Sequence, residues 1–350
     1  MKNEQREGTI YHGSSMFQWP TGVPSDAGLD EGKLEEARAF AAATEASSLL
    51  VLRNGTLVSE DYWQGNGAGT VQQTFSGTKS VLSLLAGRLI DQGVLASLEQ
   101  GLGELVEELP EELHQLTIEN VMAMQTGLVN SPEIEGLGQT GMTQLEIALT
   151  REVEAAPFTS YYYNNAAYRL LFTALERASG KSLETLTAEE VFEPLGFDGA
   201  YWVRLYAVDG DNEIFRGYQS IRMTPRDFAK SSQVIVDEGN WCGSSYLSPA
   251  FVKRLVISPR PAINPSFGLY HHLNAGEFHR RLDVPERIDR KLIPGAPDDT
   301  FLMHGAGGQA TVGIPSLNLV IVRTGTGNSL YEPENPVAVL ARLVVEAAAG

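Results

Sequence analysis

Leu34, Ala37, Phe40 and Ala41 recur at helical spacing over residues 31–44, behind an Asp30 placed to cap them, and predict an amphipathic helix. The pattern then tightens. Residues 48–53 and 56–63 read as strands, and Asn54-Gly55 between them predicts a hairpin turn that needs positive φ. From about 80 to 200 the apolar positions are mostly helical in period. Residues 80–92 carry Val81, Leu82, Leu84, Leu85, Leu89 and Ile90 on nearly every side, which predicts a buried central helix ended by Gly93. Residues 117–124 predict a short helix stopped at Thr126-Gly127. Residues 166–179 predict another, with Leu170, Leu171, Ala174 and Leu175 on one face and Gly180 at its end. Thr224-Pro225-Arg226-Asp227 opens a helix to Val236, residues 310–314 and 319–324 read as paired strands, and residues 337–348 as a closing helix.

Between these elements the pattern lapses. Residues 1–28 have no sustained period and predict an irregular arm; 129–141 is a Gly-containing loop; 240–300 is a Pro-rich stretch of strands and mobile loops. Strands near both ends around a helical middle predict a sheet domain from residues 29–90 and 225–350, with 91–224 forming a mainly helical domain. A chain of 350 residues is long enough for one large or two moderate domains.

Charge narrows the function classes. Lys and Arg total 26 against 44 Asp and Glu, a formal net charge of −18 with no basic run, so nucleic acid and anionic membrane are not expected partners. Cys242 is the only cysteine, which excludes an intrachain disulfide and a thiolate metal cluster. The polar start Met1-Lys2-Asn3-Glu4-Gln5-Arg6-Glu7 leads into no apolar signal-like segment, and no apolar run reaches about 18 residues, so a cytoplasmic protein is expected. His271-His272 with His279 is not at metal spacing, and Asp209-Gly210-Asp211-Asn212-Glu213 breaks off too soon for a calcium loop and reads as an acidic turn; neither a metal nor a cofactor is expected.

Three stretches can carry chemistry. In Thr74-Phe75-Ser76-Gly77-Thr78-Lys79-Ser80, Ser76 and Lys79 stand one helical turn apart at the mouth of the apolar helix. A serine hydroxyl needs a base within hydrogen-bond reach, and free N–H groups at a helix start can stabilise an oxyanion. The helix dipole and burial against Val81 and Leu82 should favour a neutral Lys79 amine. The bland alternative is an N-capping Ser76 and a snorkelling Lys79. Second, Tyr161-Tyr162-Tyr163-Asn164-Asn165 offers two tyrosine–asparagine registers, Tyr162/Asn164 and Tyr163/Asn165. The second is preferred because Asn165 would be the natural N-cap for a helix starting at Ala166. Third, Met303-His304-Gly305-Ala306-Gly307-Gly308-Gln309 precedes a strand, and its glycines would let backbone approach a ligand closely; a β-bulge is the bland reading.

Taken in order, S-x-x-K, Y-x-N and a Gly-rich strand resemble the serine β-lactamase and penicillin-binding-protein superfamily. The flanks Leu52-Arg53-Asn54-Gly55-Thr56, Met124-Gln125-Thr126-Gly127-Leu128, Pro194-Leu195-Gly196-Phe197 and Gly305-Ala306-Gly307-Gly308-Gln309 resemble the class C β-lactamase-like hydrolases, in particular the 6-aminohexanoate-dimer hydrolase and esterase branch. The resemblance spans residues 48–324. It implies an α+β fold in which a mainly antiparallel sheet built from both chain ends is flanked by helices, with the site in the cleft against an all-helical domain. It implies Ser76 as acylated nucleophile, Lys79 as base or proton relay, Tyr163 as second acid/base and Asn165 as substrate-amide contact. Backbone N–H groups of Ser76 and Ala306 would form the oxyanion hole.

Two departures bear on substrate. Where β-lactamases carry Lys-Thr-Gly, Met303-His304-Gly305 stands here, with His304 next to the lysine position, so a fixed cationic anchor for a substrate carboxylate is missing. The amide-hydrolase relatives also use a tyrosine after the Thr126-Gly127 segment, and none occurs between 127 and 160. The expectation is a serine hydrolase acting on a small ester or amide. A D-peptide or D-amino-acid amide hydrolase, an acyltransferase, a non-catalytic scaffold and the question of a homodimer are left open.

Overall fold

The computed structural model describes residues 2–14, 17–129, 142–210, 212–281, 286–327, 330–332 and 334–349. Lys2–Glu7 forms strand β1, where the lack of a period predicts an irregular arm. None of its side chains is buried, so backbone pairing to a later strand holds it, and such pairing leaves no hydrophobic period to read. Helix α1 (Glu31–Ala43) starts as expected: Asp30 Oδ1 accepts from the Lys33 N–H at 2.8 Å, and Leu34, Ala37 and Ala41 are buried. Strands β2 (Ala46–Arg53) and β3 (Thr56–Tyr62) join through Asn54 and Gly55 at φ of 52° and 70°.

The short strand β4 (Gln72–Gln73) leads into helix α2 (Gly77–Asp91), which is buried from Gly77 through Gly87 and again at Leu89. Helix α3 (Arg169–Ser179) ends on Gly180 at φ 68°. Strands β5 (Ala200–Asp209) and β6 (Asn212–Met223) form a long hairpin inside the stretch expected to be mainly helical. Register shifts at Val203/Arg204 and Leu205/Tyr206 break the two-residue alternation of this hairpin, which is why its sequence does not read as strand. The acidic turn expected at 209–213 is its tip; Asp211 lies outside the described residues. Helix α4 (Pro225–Val236) follows, capped by Thr224. The 240–300 stretch, expected to hold strands and loops, also carries a short helix over Pro249–Leu255 capped by Ser248; beyond it come β7 (His272–Leu273), β8 (Phe301–Gly305), β9 (Gln309–Ile314), β10 (Leu319–Gly325) and helix α5 (Pro336–Ala348).

The main sheet has the order β3-β2-β10-β9-β8-β7 with every neighbour antiparallel, so residues from both ends of the chain pair directly, Val322 opposite Leu50. Both faces are covered. Leu50, Leu52, Phe301, Met303, Val320 and Val322 join one core with α2 and α4, while Leu49, Val51, Leu302, Leu319 and Ile321 join another with α1 and α5. Burial on both faces explains why these strands read as continuous apolar runs. A second antiparallel sheet, β1-β5-β6-β4, lies beside the helical region.

The Pro194-Leu195-Gly196-Phe197 motif finds its role in this packing. Asp227 and Lys230, both fully buried in the first turns of α4, pair at 2.8 Å. Asp227 also accepts from the N–H groups of Asp198 and Gly199 and from Thr224 Oγ1, while Lys230 donates to the Gly196 carbonyl. A buried charge without such partners would be costly, so the network locks α4 to that turn.

Candidate active site

Ser76 stands at the N-cap of α2, but its side chain makes no capping hydrogen bond. The hydroxyl instead accepts from Lys79 Nζ at 3.2 Å. The turn before it is unusual: Phe75 sits at φ 47°, a left-handed conformation that a bulky residue rarely adopts, and the residue is exposed. Strand β6 holds this turn. Thr74 Oγ1 donates to the Ile221 carbonyl at 2.7 Å, and the Ile221 N–H donates to Thr78 Oγ1 at 2.8 Å. The hairpin that the sequence did not announce is therefore the clamp on the Ser76 turn.

Lys79 is buried, and its Nζ also donates to Asn165 Oδ1 at 2.9 Å. The two stretches 86 residues apart in sequence thus meet on one amine. The Tyr163 and Tyr168 rings face the same nitrogen, with their centroids 5.0 and 4.1 Å from Nζ. Tyr162, by contrast, is half-buried and tied by its backbone N–H to the Met124 carbonyl.

The preferred Y-x-N register is the one that reaches Lys79, though not through capping. Helix α3 begins at Arg169, not Ala166, and Asn165 caps nothing. Asn164 does the capping: its Oδ1 accepts from the Ala166 and Ala167 N–H groups, and its Nδ2 donates to the carbonyls of Leu128 and Val129. With Asn164 turned inward and fully buried, the neighbouring Asn165 projects into the site. The Met124-Gln125-Thr126-Gly127-Leu128 motif is the shelf for this segment. Gly127 lies at φ 73°, where an added Cβ would come within 1.9 Å of the Ala155 carbonyl oxygen. Most of the 129–141 loop lies outside the described residues.

The third stretch closes the site from the sheet side. Strand β7 pairs with Phe301 and Leu302 of β8, so no described strand covers the edge of β8 at residues 303–305. A Cβ on Gly305 would stand 2.0 Å from the Thr74 carbonyl oxygen, so only glycine lets the strand end lie against the Ser76 turn. Ala306 follows at once, exposed, in the tight turn before β9.

Met303 is fully buried on the α2 side of the sheet. His304 is also buried; burial first, and the Arg323 charge second, lower its pKa to about 4. Its ring packs edge-on against His272 at 5.6 Å, and Nε2 has no partner among the described residues. Neither residue at this end of β8 supplies a cation at neutral pH.

Among the described residues, no group of three His, Cys, Asp or Glu side chains is arranged to hold a metal ion. No described helix is long and apolar enough to cross a membrane. Tyr168 is the residue that sequence reasoning passed over. Its signal was spacing, three residues after Asn165 and five after Tyr163, which the expected helix start at Ala166 obscured.

The two-sheet, helix-flanked fold and the meeting of S-x-x-K with Y-x-N define a β-lactamase-type protein. A model of the Beta-lactamase family matches residues 33–245, more than half of the chain, and the chain belongs to that family. A Bacillus anthracis protein assigned as a 6-aminohexanoate-dimer hydrolase has a similar structure, with TM-score 0.71 and 16% identity over 99% of this chain and 90% of that one. EstCE1, described as a hydrolase with promiscuous acyltransferase activity, follows with TM-score 0.65 and 15% identity over 89% and 99%. In sequence, the Aspergillus violaceofuscus unguisins hydrolase ungD is 29% identical over 116 residues, which are 32% of this chain. The match spans only 20% of that relative's own length.

Proposed function

We propose that this chain is a serine hydrolase that works through an acyl-enzyme on small, uncharged esters or amides. The observation that carries the reading is the single amine of Lys79 held between Ser76 Oγ and Asn165 Oδ1, with Ser76 uncommitted to capping. In its neutral form Lys79 takes the Ser76 proton as Oγ attacks the substrate carbonyl carbon. The resulting oxyanion lies at the N–H groups of Ser76 and Ala306, where the helix start and the Gly305 approach favour negative charge. Asn165 orients the acyl group. As the tetrahedral species collapses, the carbon–leaving-group bond breaks and Tyr163 passes a proton to the departing oxygen or nitrogen. Water then adds to the acyl-enzyme by the same route in reverse and releases the acid.

A buried Met303 and a neutral His304 argue for substrates without a carboxylate beside the scissile bond. A panel of p-nitrophenyl esters, a nylon dimer, D-amino-acid amides and nitrocefin tests the reading, with quenched samples weighed intact. Neutral esters should turn over and leave an acyl adduct on the Ser76 peptide, and nitrocefin should barely react. An adduct mapped elsewhere would sink the proposal. EstCE1 is described as having acyltransferase activity, so an added alcohol acceptor is a useful arm: product diverted to a new ester would mark transfer.

Two substitutions probe the parts. Tyr163→Phe should lower kcat by about 10²–10⁴ as a general acid/base is lost, while Tyr162→Phe costs far less; steady-state kinetics giving the reverse order would show the other register to be the working one. Gly305→Ala must push the strand end away from Thr74, and with it the Ala306 N–H. A displacement of this size should lower kcat/KM by about 10²-fold. Activity within a few fold of the parent would remove Ala306 from the oxyanion hole.

A further inference from the structure

We infer that the ring face of Tyr168 is a positioning and charge-stabilising surface for Lys79, holding the ammonium that forms when the lysine takes the serine proton. The inference rests on Lys79 serving as the base. Of the two rings facing Nζ, that of Tyr168 is the nearer, at 4.1 Å from its centroid against 5.0 Å for Tyr163. An aromatic face attracts a cation and does so most strongly where water is excluded. Tyr168 is 5% exposed and Lys79 4%.

The ring is fixed rather than adaptable. Phe172 meets it edge-on at 4.9 Å and Tyr270 at 6.1 Å, so it is clamped from two sides. Backbone geometry fixes it as well: the Tyr168 N–H donates to the Asn164 carbonyl, and Asn164 caps the same turn through Ala166 and Ala167. One turn therefore delivers to the amine both an amide oxygen, from Asn165, and a ring face, from Tyr168. A ring face interacts weakly with a neutral amine and strongly with an ammonium. Its contribution thus appears as the proton moves, which is when it accelerates acylation.

The groups around Lys79 come from several elements. Ser76 belongs to the start of α2, Tyr163, Asn165 and Tyr168 to the segment leading into α3, and His272 to β7; Tyr161 and Tyr270 stand behind the Tyr163 and Tyr168 rings. Burial raises the pKa of Tyr161, Tyr168 and Tyr270, and burial together with neighbouring positive charges lowers that of His272 well below its ordinary value. These four groups stay neutral across the range in which a lysine base would be titrated.

The test is the pH profile of kcat/KM with a neutral p-nitrophenyl ester, on the full chain, for the parent, Tyr168→Leu, Tyr168→Phe and Lys79→Ala. Leucine removes the face, so the ammonium loses stabilisation and the Lys79 pKa falls. The acid limb should move to lower pH by about 0.5–1 unit, and the plateau should drop about 5- to 30-fold. Phenylalanine keeps the face without the hydroxyl and should restore both limb and plateau. A Leu variant that loses rate with its limb unmoved would show a merely structural role and overturn the inference, as would a Phe variant as damaged as Leu. Lys79→Ala separates the two levels of the argument. If it abolishes the acid limb while Tyr168→Leu leaves the limb in place, only the inference about Tyr168 fails. If it retains the parent limb, the reading of Lys79 as base fails first.

Discussion

Ser76→Ala leaves a folded protein that no longer takes up a serine-directed phosphonylating or acylating probe, and its turnover of a neutral ester falls by on the order of 10⁴–10⁶. The fold is expected to survive because, among the described residues, the Ser76 hydroxyl caps no helix and bonds to Lys79. The turn is held instead by Thr74 and Thr78 against Ile221 and by the backbone bonds that open α2. Intact-mass spectrometry of parent and variant after probe treatment reads the result directly. Undiminished labelling of the variant would place the nucleophile elsewhere.

Lys79→Ala is the second large effect. The nucleophile then remains in place without its proton acceptor, and acylation should fall by a factor comparable to loss of the nucleophile, since the two act as one unit. The cavity left behind is lined by the Tyr163 and Tyr168 rings and Asn165, so some loss of thermal stability is expected along with the loss of rate. Single-turnover acylation followed by quenched mass spectrometry separates the chemical step from binding. Near-parental acylation in a well-folded Lys79→Ala protein would refute the base, whatever the labelling of Ser76 shows.

Much of this centre was legible from residue order. S-x-x-K at the start of an apolar helix, Y-x-N before a second one and glycines ahead of a late strand are local patterns, and local geometry obeys them. The choice of Asn165 over Asn164 also agrees with the contact to Lys79, though for the wrong reason. Capping went to Asn164, because the chain makes a full turn before α3 begins and the fully buried amide is the one that can satisfy the turn's free N–H groups. His304 shows the limit from the other side. Its sequence neighbourhood suggests a contact for substrate, whereas its pKa of about 4 comes from burial and from Arg323, a residue nineteen positions away.

Residue order alone thus specifies the local elements: helix α1 with its Asp30 cap, the Asn54-Gly55 hairpin, the apolar helix α2, the Thr224 start of α4 and the paired strands β9 and β10. Each follows from backbone propensity and a period that needs only its own residues. The remaining features come from contacts across the fold. Tertiary structure made β1 a strand through edge pairing and polar contacts such as Arg6 with Glu213 and Tyr201 with Glu7, and it hid the β5–β6 hairpin behind bulges that erase the alternation. It brought Ile221 onto the Ser76 turn, Asn165 and two tyrosine rings onto Lys79, and Gly305 against Thr74. Those contacts join residues far apart in the chain, and their energies depend on burial and on distance in space, which residue order alone does not encode.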